Sequence, residues 1–155
     1  MPAGSEFSET VLPRTFRPLG PRIVGIVVVV ALFAFSVFIW FAGFTAETRA
    51  EFTALQLSTL FGIGALIAAL VYALIRSRVT ATDSGLVVVN GYRKRTYDWA
   101  QVVAIRLPSG APWVTLDLVD GSVCSVMGIQ SSDGGHARAQ VRQLRALLAA
   151  HSQSA

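Results

Sequence analysis

Ile23–Phe44 reads IVGIVVVVALFAFSVFIWFAGF and Leu55–Ile75 reads LQLSTLFGIGALIAALVYALI, and neither run carries a charged residue. Twenty-two residues make about 33 Å of helix at 1.5 Å per residue, against a hydrocarbon core of about 30 Å. Each run is therefore predicted to cross a bilayer as a helix. The β-branched residues of the first run do not argue for a strand, because lipid leaves only helices and closed barrels able to satisfy their own backbone. Trp40 and Phe41 near its far end fit an interfacial aromatic belt. In the second run Gly64 and Ala68, and likewise Ala65 and Ala69, are four apart, so small faces are available for packing against the first helix or for docking another membrane protein.

The flanks set the orientation. Arg14, Arg17 and Arg22 precede the first span and Arg76 and Arg78 follow the second, whereas the loop Thr45–Ala54 sets Arg49 beside Glu47 and Glu51. The positive-inside rule then predicts a multi-pass plasma-membrane protein with both termini cytoplasmic and the short acidic loop outside. A cleaved signal peptide is the rival reading, since Thr48-Arg49-Ala50 faintly resembles a cleavage site, but the apolar stretch is too long for one.

Of 155 residues, 53% are hydrophobic and 14% charged, the balance of a chain with about a third of its length in lipid. Residues 1–22 hold four of the six prolines and no helical period, which predicts a disordered, Pro-rich cytoplasmic tail whose last residues lie along the headgroups. Residues 23–75 form the hairpin, and 78–150 remain for one small domain. Nine basic residues meet five acidic ones after the second span, a balance that draws a domain toward anionic headgroups. Cys124 is the only cysteine, so no intrachain disulfide forms.

From Val79 the period changes to that of short strands: Val79–Thr82, Leu86–Val89, Arg93–Tyr97, Val102–Leu107, Trp113–Val119 and Ser122–Met127. Turn residues separate them, among them Asn90-Gly91, Pro108-Ser109-Gly110 and Asp120-Gly121. Taking Asp120-Gly121 as a two-residue loop pairs Leu118 with Val123, Leu116 with Ser125 and Val114 with Met127, and puts Cys124 opposite Asp117 on the outer face. The Asn90-Gly91 register stays open; a two-residue loop there sets Arg93 and Arg95 on the side of Leu86 and Val88, with Lys94 on the side of Val87 and Val89. Ser131-Ser132-Asp133 offers N-cap candidates for a helix over His136–Ala150, with Val141, Leu144 and Leu148 on one face and Arg138, Arg142 and Arg145 on another. The expected fold is an α+β membrane protein: a two-helix transmembrane hairpin, then a small PH-like antiparallel β-barrel capped by a C-terminal helix. Its expected core is Leu86, Val88, Ile105, Val114, Leu116, Leu118, Val123 and Val126 or Met127.

The stretch Arg78–Leu148 resembles the small actinobacterial membrane proteins that carry a bacterial PH-like domain behind a transmembrane hairpin, including those labelled low-molecular-weight protein antigen. The residues that carry the resemblance are Ser84-Gly85-Leu86, Asn90-Gly91, the basic run Arg93-Lys94-Arg95, Asp98-Trp99-Ala100-Gln101-Val102, the Trp113–Gly121 strand and turn, Val126-Met127-Gly128-Ile129-Gln130, and the Arg-rich closing helix. The resemblance implies the PH-like fold and no reaction. The basic run resembles the cationic patches of lipid-binding PH domains, but the usual Lys/Arg pattern of the first hairpin loop is missing.

No catalytic chemistry is legible. His136 and His151 stand fifteen apart without a carboxylate or cysteine at ligand spacing, so neither a metal nor a cofactor is expected. No Gly-rich phosphate loop or nucleophile motif occurs, and RNA-binding aromatic motifs are missing as well. Neither a nucleic acid nor a small-molecule substrate is therefore expected. The sequence predicts a non-enzymatic, membrane-anchored interaction module that docks a protein partner or serves as accessory subunit of a membrane complex; the alternative is an anionic-lipid sensor. The candidate lipid- or partner-binding residues are Arg93, Lys94, Arg95, Arg138, Arg142 and Arg145.

Overall fold

The protein is described from a computed structural model over residues 12–152. Helix α1 (Gly20–Phe38) begins with Pro21 in its first turn, where a missing N–H costs nothing, and widens into one π turn over Ile39–Gly43. A short helix α2 (Ala46–Ala50) and a Thr53–Gln56 capping box lead into α3 (Ala54–Arg76). Trp40 packs edge-on against Phe44 and Phe52 at this turn-around, and those two rings are tilted against each other, with all centroids 5.3–6.3 Å apart. The two apolar helices, Gly20–Gly43 and Ala54–Arg76, are long and apolar enough to cross a membrane. Neither α1 nor α3 has a buried residue, so most of their Leu, Val and Phe side chains are exposed, as on helices that could face lipid. The helices pack tightly at Gly25, where a Cβ would stand 3.0 Å from Val71. Gly62 and Gly64 look into open space, whereas Ala68, one turn further along α3, lines the gap to Ile26, Val29 and Val30 of α1.

Seven strands form two antiparallel sheets. The first has the order β1 (Arg14–Phe16), β2 (Arg78–Ala81), β3 (Gly85–Asn90), β4 (Arg93–Asp98); the second has β5 (Val102–Arg106), β6 (Trp113–Leu118), β7 (Val123–Gln130). Helix α4 (Gly135–Ser152) closes one end, burying Ala137, Val141, Leu144 and Leu147. This arrangement is PH-like, but the expected closed barrel is not formed: β4 and β5 share no ladder. Elsewhere the sheets meet through side chains. Asn90, at the end of β3, donates to the Ser125 carbonyl (2.5 Å) and accepts from Met127 N–H (2.9 Å). Gly128 lets β7 cross β2, since a Cβ there would come within 2.6 Å of the Arg78 backbone.

Strand β1 corrects the expected disordered tail. Arg14, Thr15 and Phe16 pair with Ala81, Thr80 and Val79, and Phe16 is buried at 2% exposure. A large ring that fills the end of a core outweighs the ordering entropy of three residues. The part of the tail before residue 12 lies outside the described residues. Because β1 precedes the helical hairpin and β2 follows it, the ladder between them fixes both ends of the hairpin on one side of the domain.

The β6–β7 register is also corrected. Leu116 pairs with Cys124 and Asp117 with Val123, one position away from the expected pairing. The loop has three residues, not two: Gly121 N–H bonds the Leu118 carbonyl (3.0 Å) and Gly121 takes φ +80, the left-handed conformation that closes a type I turn as a bulge. Ser122, through its N–H and hydroxyl, holds the Asp120 carboxyl below its usual pKa. A one-residue slip inverts the strand, so Cys124 is buried against the core and Val123 is 61% exposed. The core otherwise contains the expected Leu86, Val88, Ile105, Val114, Leu116 and Val126, with Leu118 only partly buried. Val79, Ile129 and Trp99 join it, and Leu147 is more deeply buried than Leu148.

Candidate interaction site

The β3–β4 hairpin turns at Gly91-Tyr92, one residue beyond the expected place, because Asn90 pairs with Arg93 and keeps its side chain for β7. Gly91 has φ +58 and Tyr92 does not, as a type II′ turn requires. The turn sits against α3. Gly91 N–H donates to the Ser77 hydroxyl (3.0 Å), which donates in turn to the Ala73 carbonyl (3.0 Å). The Tyr92 hydroxyl donates to the Ala69 carbonyl at 2.7 Å, and its ring lies 6.4 Å from that of Tyr72. Ala69 is seven residues before the end of α3 at Arg76, or about 10 Å along the axis.

The basic run starts at this tip and occupies β4, the edge of its sheet, with Arg93, Lys94 and Arg95 all exposed. The ladder sets Arg95 opposite Val88 and Lys94 opposite Val89, so the three cations divide between the two faces. A hydrogen bond with the Tyr97 hydroxyl raises the pKa of Arg95. Burial raises the pKa of the Tyr97 phenol above 10.0, a hydrogen bond with the Cys124 thiol adds to the rise, and Arg95 opposes it. The buried Cys124 thiol donates to the Ser125 carbonyl at 3.5 Å.

Arg138, Arg142 and Arg145 form a second, separate cluster. With Leu107 and Val141 they line an open groove of about 260 Å³ between α4 and the end of β5. Arg145 Nε donates to the Ile105 carbonyl at 2.8 Å.

Asp133 does something the sequence did not suggest. Its two oxygens accept from Leu19 N–H and Gly20 N–H, both at 2.8 Å, so it caps α1 from 113 residues away in sequence. Gln140 Nε2 adds a bond to the Arg17 carbonyl at 3.3 Å. The foot of α1, the start of α4 and the tip of the β3–β4 hairpin are therefore each tied between domain and helices. Sequence reasoning also missed Tyr92, although an aromatic at a glycine turn directly before a basic run was the available signal. Among the described residues no group of three or more His, Cys, Asp or Glu could hold a metal ion.

Residues 76–147 match the family model described as the bacterial PH domain, which supports a PH-like domain and leaves β1 outside the matched stretch. A bacterial PH domain suggests a lipid- or protein-interaction module. No curated protein and no solved structure matches the sequence.

Proposed function

We propose that the protein is a non-enzymatic interaction module of the plasma membrane, with its termini and PH-like domain cytoplasmic, and that its β3–β4 hairpin engages anionic headgroups through Arg93, Lys94 and Arg95. One observation carries this reading: Tyr92, at the hairpin tip, reaches the Ala69 carbonyl of an apolar helix. If Arg76 stands at the bilayer surface, a point about 10 Å along α3 is at the border of headgroups and hydrocarbon, where tyrosine is favoured. The three following cations then stand in the headgroup layer, each contributing about 1 kcal/mol on an anionic surface. A charged edge strand also prevents pairing with other sheets, so the charges alone would not support lipid contact. The tip contact does.

Hydrogen exchange on the full chain in nanodiscs tests this reading. The amides of residues 91–97 are expected to be better protected in discs containing phosphatidylglycerol than in purely zwitterionic discs, and high salt or R93Q/K94Q/R95Q should remove the difference. Equal protection in both discs refutes it.

The second reading, a docking module or accessory subunit for another membrane protein, is favoured by the open faces at Gly62 and Gly64. Purification in mild detergent is then expected to recover a stoichiometric partner; repeated isolation as a lone chain counts against it.

A further inference from the structure

We propose that the groove between α4 and the end of β5 docks an acidic segment of a partner protein. Arg138, Arg142 and Arg145 receive its carboxylates, and Leu107 and Val141 receive an apolar side chain between them. The arginines stand at i, i+4 and i+7, a row about 10 Å long on one face of the helix with steps of four and three residues. Val141 is 4% exposed, so the row flanks an apolar floor.

The domain leaves this charge uncompensated. The ion pair among the described residues is Arg106 Nε with Asp117 Oδ2 at 2.6 Å. Asp133 is engaged on the α1 N-terminus, Asp98 caps the turn Trp99–Gln101, and Asp120 is held by Ser122. Arg145 is already ordered by Ile105 through Nε, which leaves its terminal amino groups for a ligand and lowers the entropy lost on binding. Guanidinium forks bind carboxylates in pairs of parallel hydrogen bonds, which suits a row of acidic side chains. A helical peptide with carboxylates three and four residues apart repeats the spacing of the row, whereas a single headgroup phosphate spans only part of it. The site is separate from the β4 surface and does not depend on it.

The test uses the full chain in zwitterionic nanodiscs. Its probe is a fluorescein-labelled helical peptide with Glu at i, i+4 and i+7 around one Leu, read by anisotropy beside a copy with Gln for every Glu. The Glu peptide is expected to bind saturably and to weaken by roughly tenfold for each arginine replaced in R138Q and R142Q. Neither side chain makes a hydrogen bond or ion pair in the structure, so the melting temperature should stay unchanged. Equal binding of the Glu and Gln peptides, or full binding by R138Q/R142Q, overturns the proposal. Displacement of the peptide by sn-glycerol 3-phosphate at equal concentration also overturns it, and assigns the groove to a lipid headgroup.

Discussion

Replacing Phe16 by Ala should destabilise the PH-like domain although Phe16 precedes the two apolar helices in the sequence and the rest of the domain follows them. Phe16 is 2% exposed and belongs to the same buried cluster as Val79, Leu86, Leu144 and Trp99. Removing a fully buried phenylalanine ring costs about 3–5 kcal/mol. Thr15, its neighbour on the same strand, is exposed and bonds Thr80 hydroxyl to hydroxyl at 3.0 Å, so Thr15→Ala should cost only about 1 kcal/mol. In a domain of this size each kcal/mol lowers the melting temperature by about 4–8 °C, so Phe16→Ala should lower it by about 12 °C or more and Thr15→Ala by less than about 8 °C. The assay is thermal unfolding of the full chain in detergent, followed by tryptophan fluorescence, since Trp99 sits in this core. Hydrogen exchange at β2 supplies a local readout and should accelerate in Phe16→Ala. Equal shifts for the two variants would refute the view that β1 is part of the domain.

Leu144→Ala, at 0% exposure beneath α4, should cost about 2–5 kcal/mol; an unchanged melting temperature would mean that α4 does not close the domain. Gly128→Ala should also destabilise, because its Cβ meets Arg78 backbone at 2.6 Å and neither strand can yield cheaply; wild-type stability would deny the close crossing of β7 over β2. Tyr97 binds its proton more tightly folded than unfolded, so its contribution is fully present below pH 10.0 and is lost as pH rises through its higher folded value. Phenolate absorbance should report that delayed titration, and a Tyr97 that titrates at the free value would contradict it. Single-cysteine probes at Thr48 and Ser152 should be labelled from opposite sides of the membrane, with the Ser152 side cytoplasmic; labelling from one side would remove the crossing hairpin.

The two long apolar helices and the strand-rich remainder were legible in the sequence because hydrophobic length and period are local properties. The same holds for many core positions: Val114 and Leu116 alternate with Thr115 and Asp117 along β6, and Leu86 and Val88 fall in a continuous apolar run along β3. Where the sequence misled, a distant partner decided. Asp120-Gly121 reads as a two-residue turn, yet the bulge at Gly121 adds Val119 to the loop and carries Cys124 inward and Val123 outward. Asn90 reads as a turn residue, yet its amide joins β3 to β7. Asp133 reads as the cap of the helix that follows it, yet it caps α1. Phe16 lies in a proline-rich tail with no strand pattern, and only the exposed edge of β2 and an open end of the core give it a place. The basic residues were visible as a list; their division into a hairpin edge against α3 and a groove on α4 was not. Charge and hydrophobic period are written into the chain residue by residue, whereas a hydrogen bond across 113 residues exists only after both ends have been brought together.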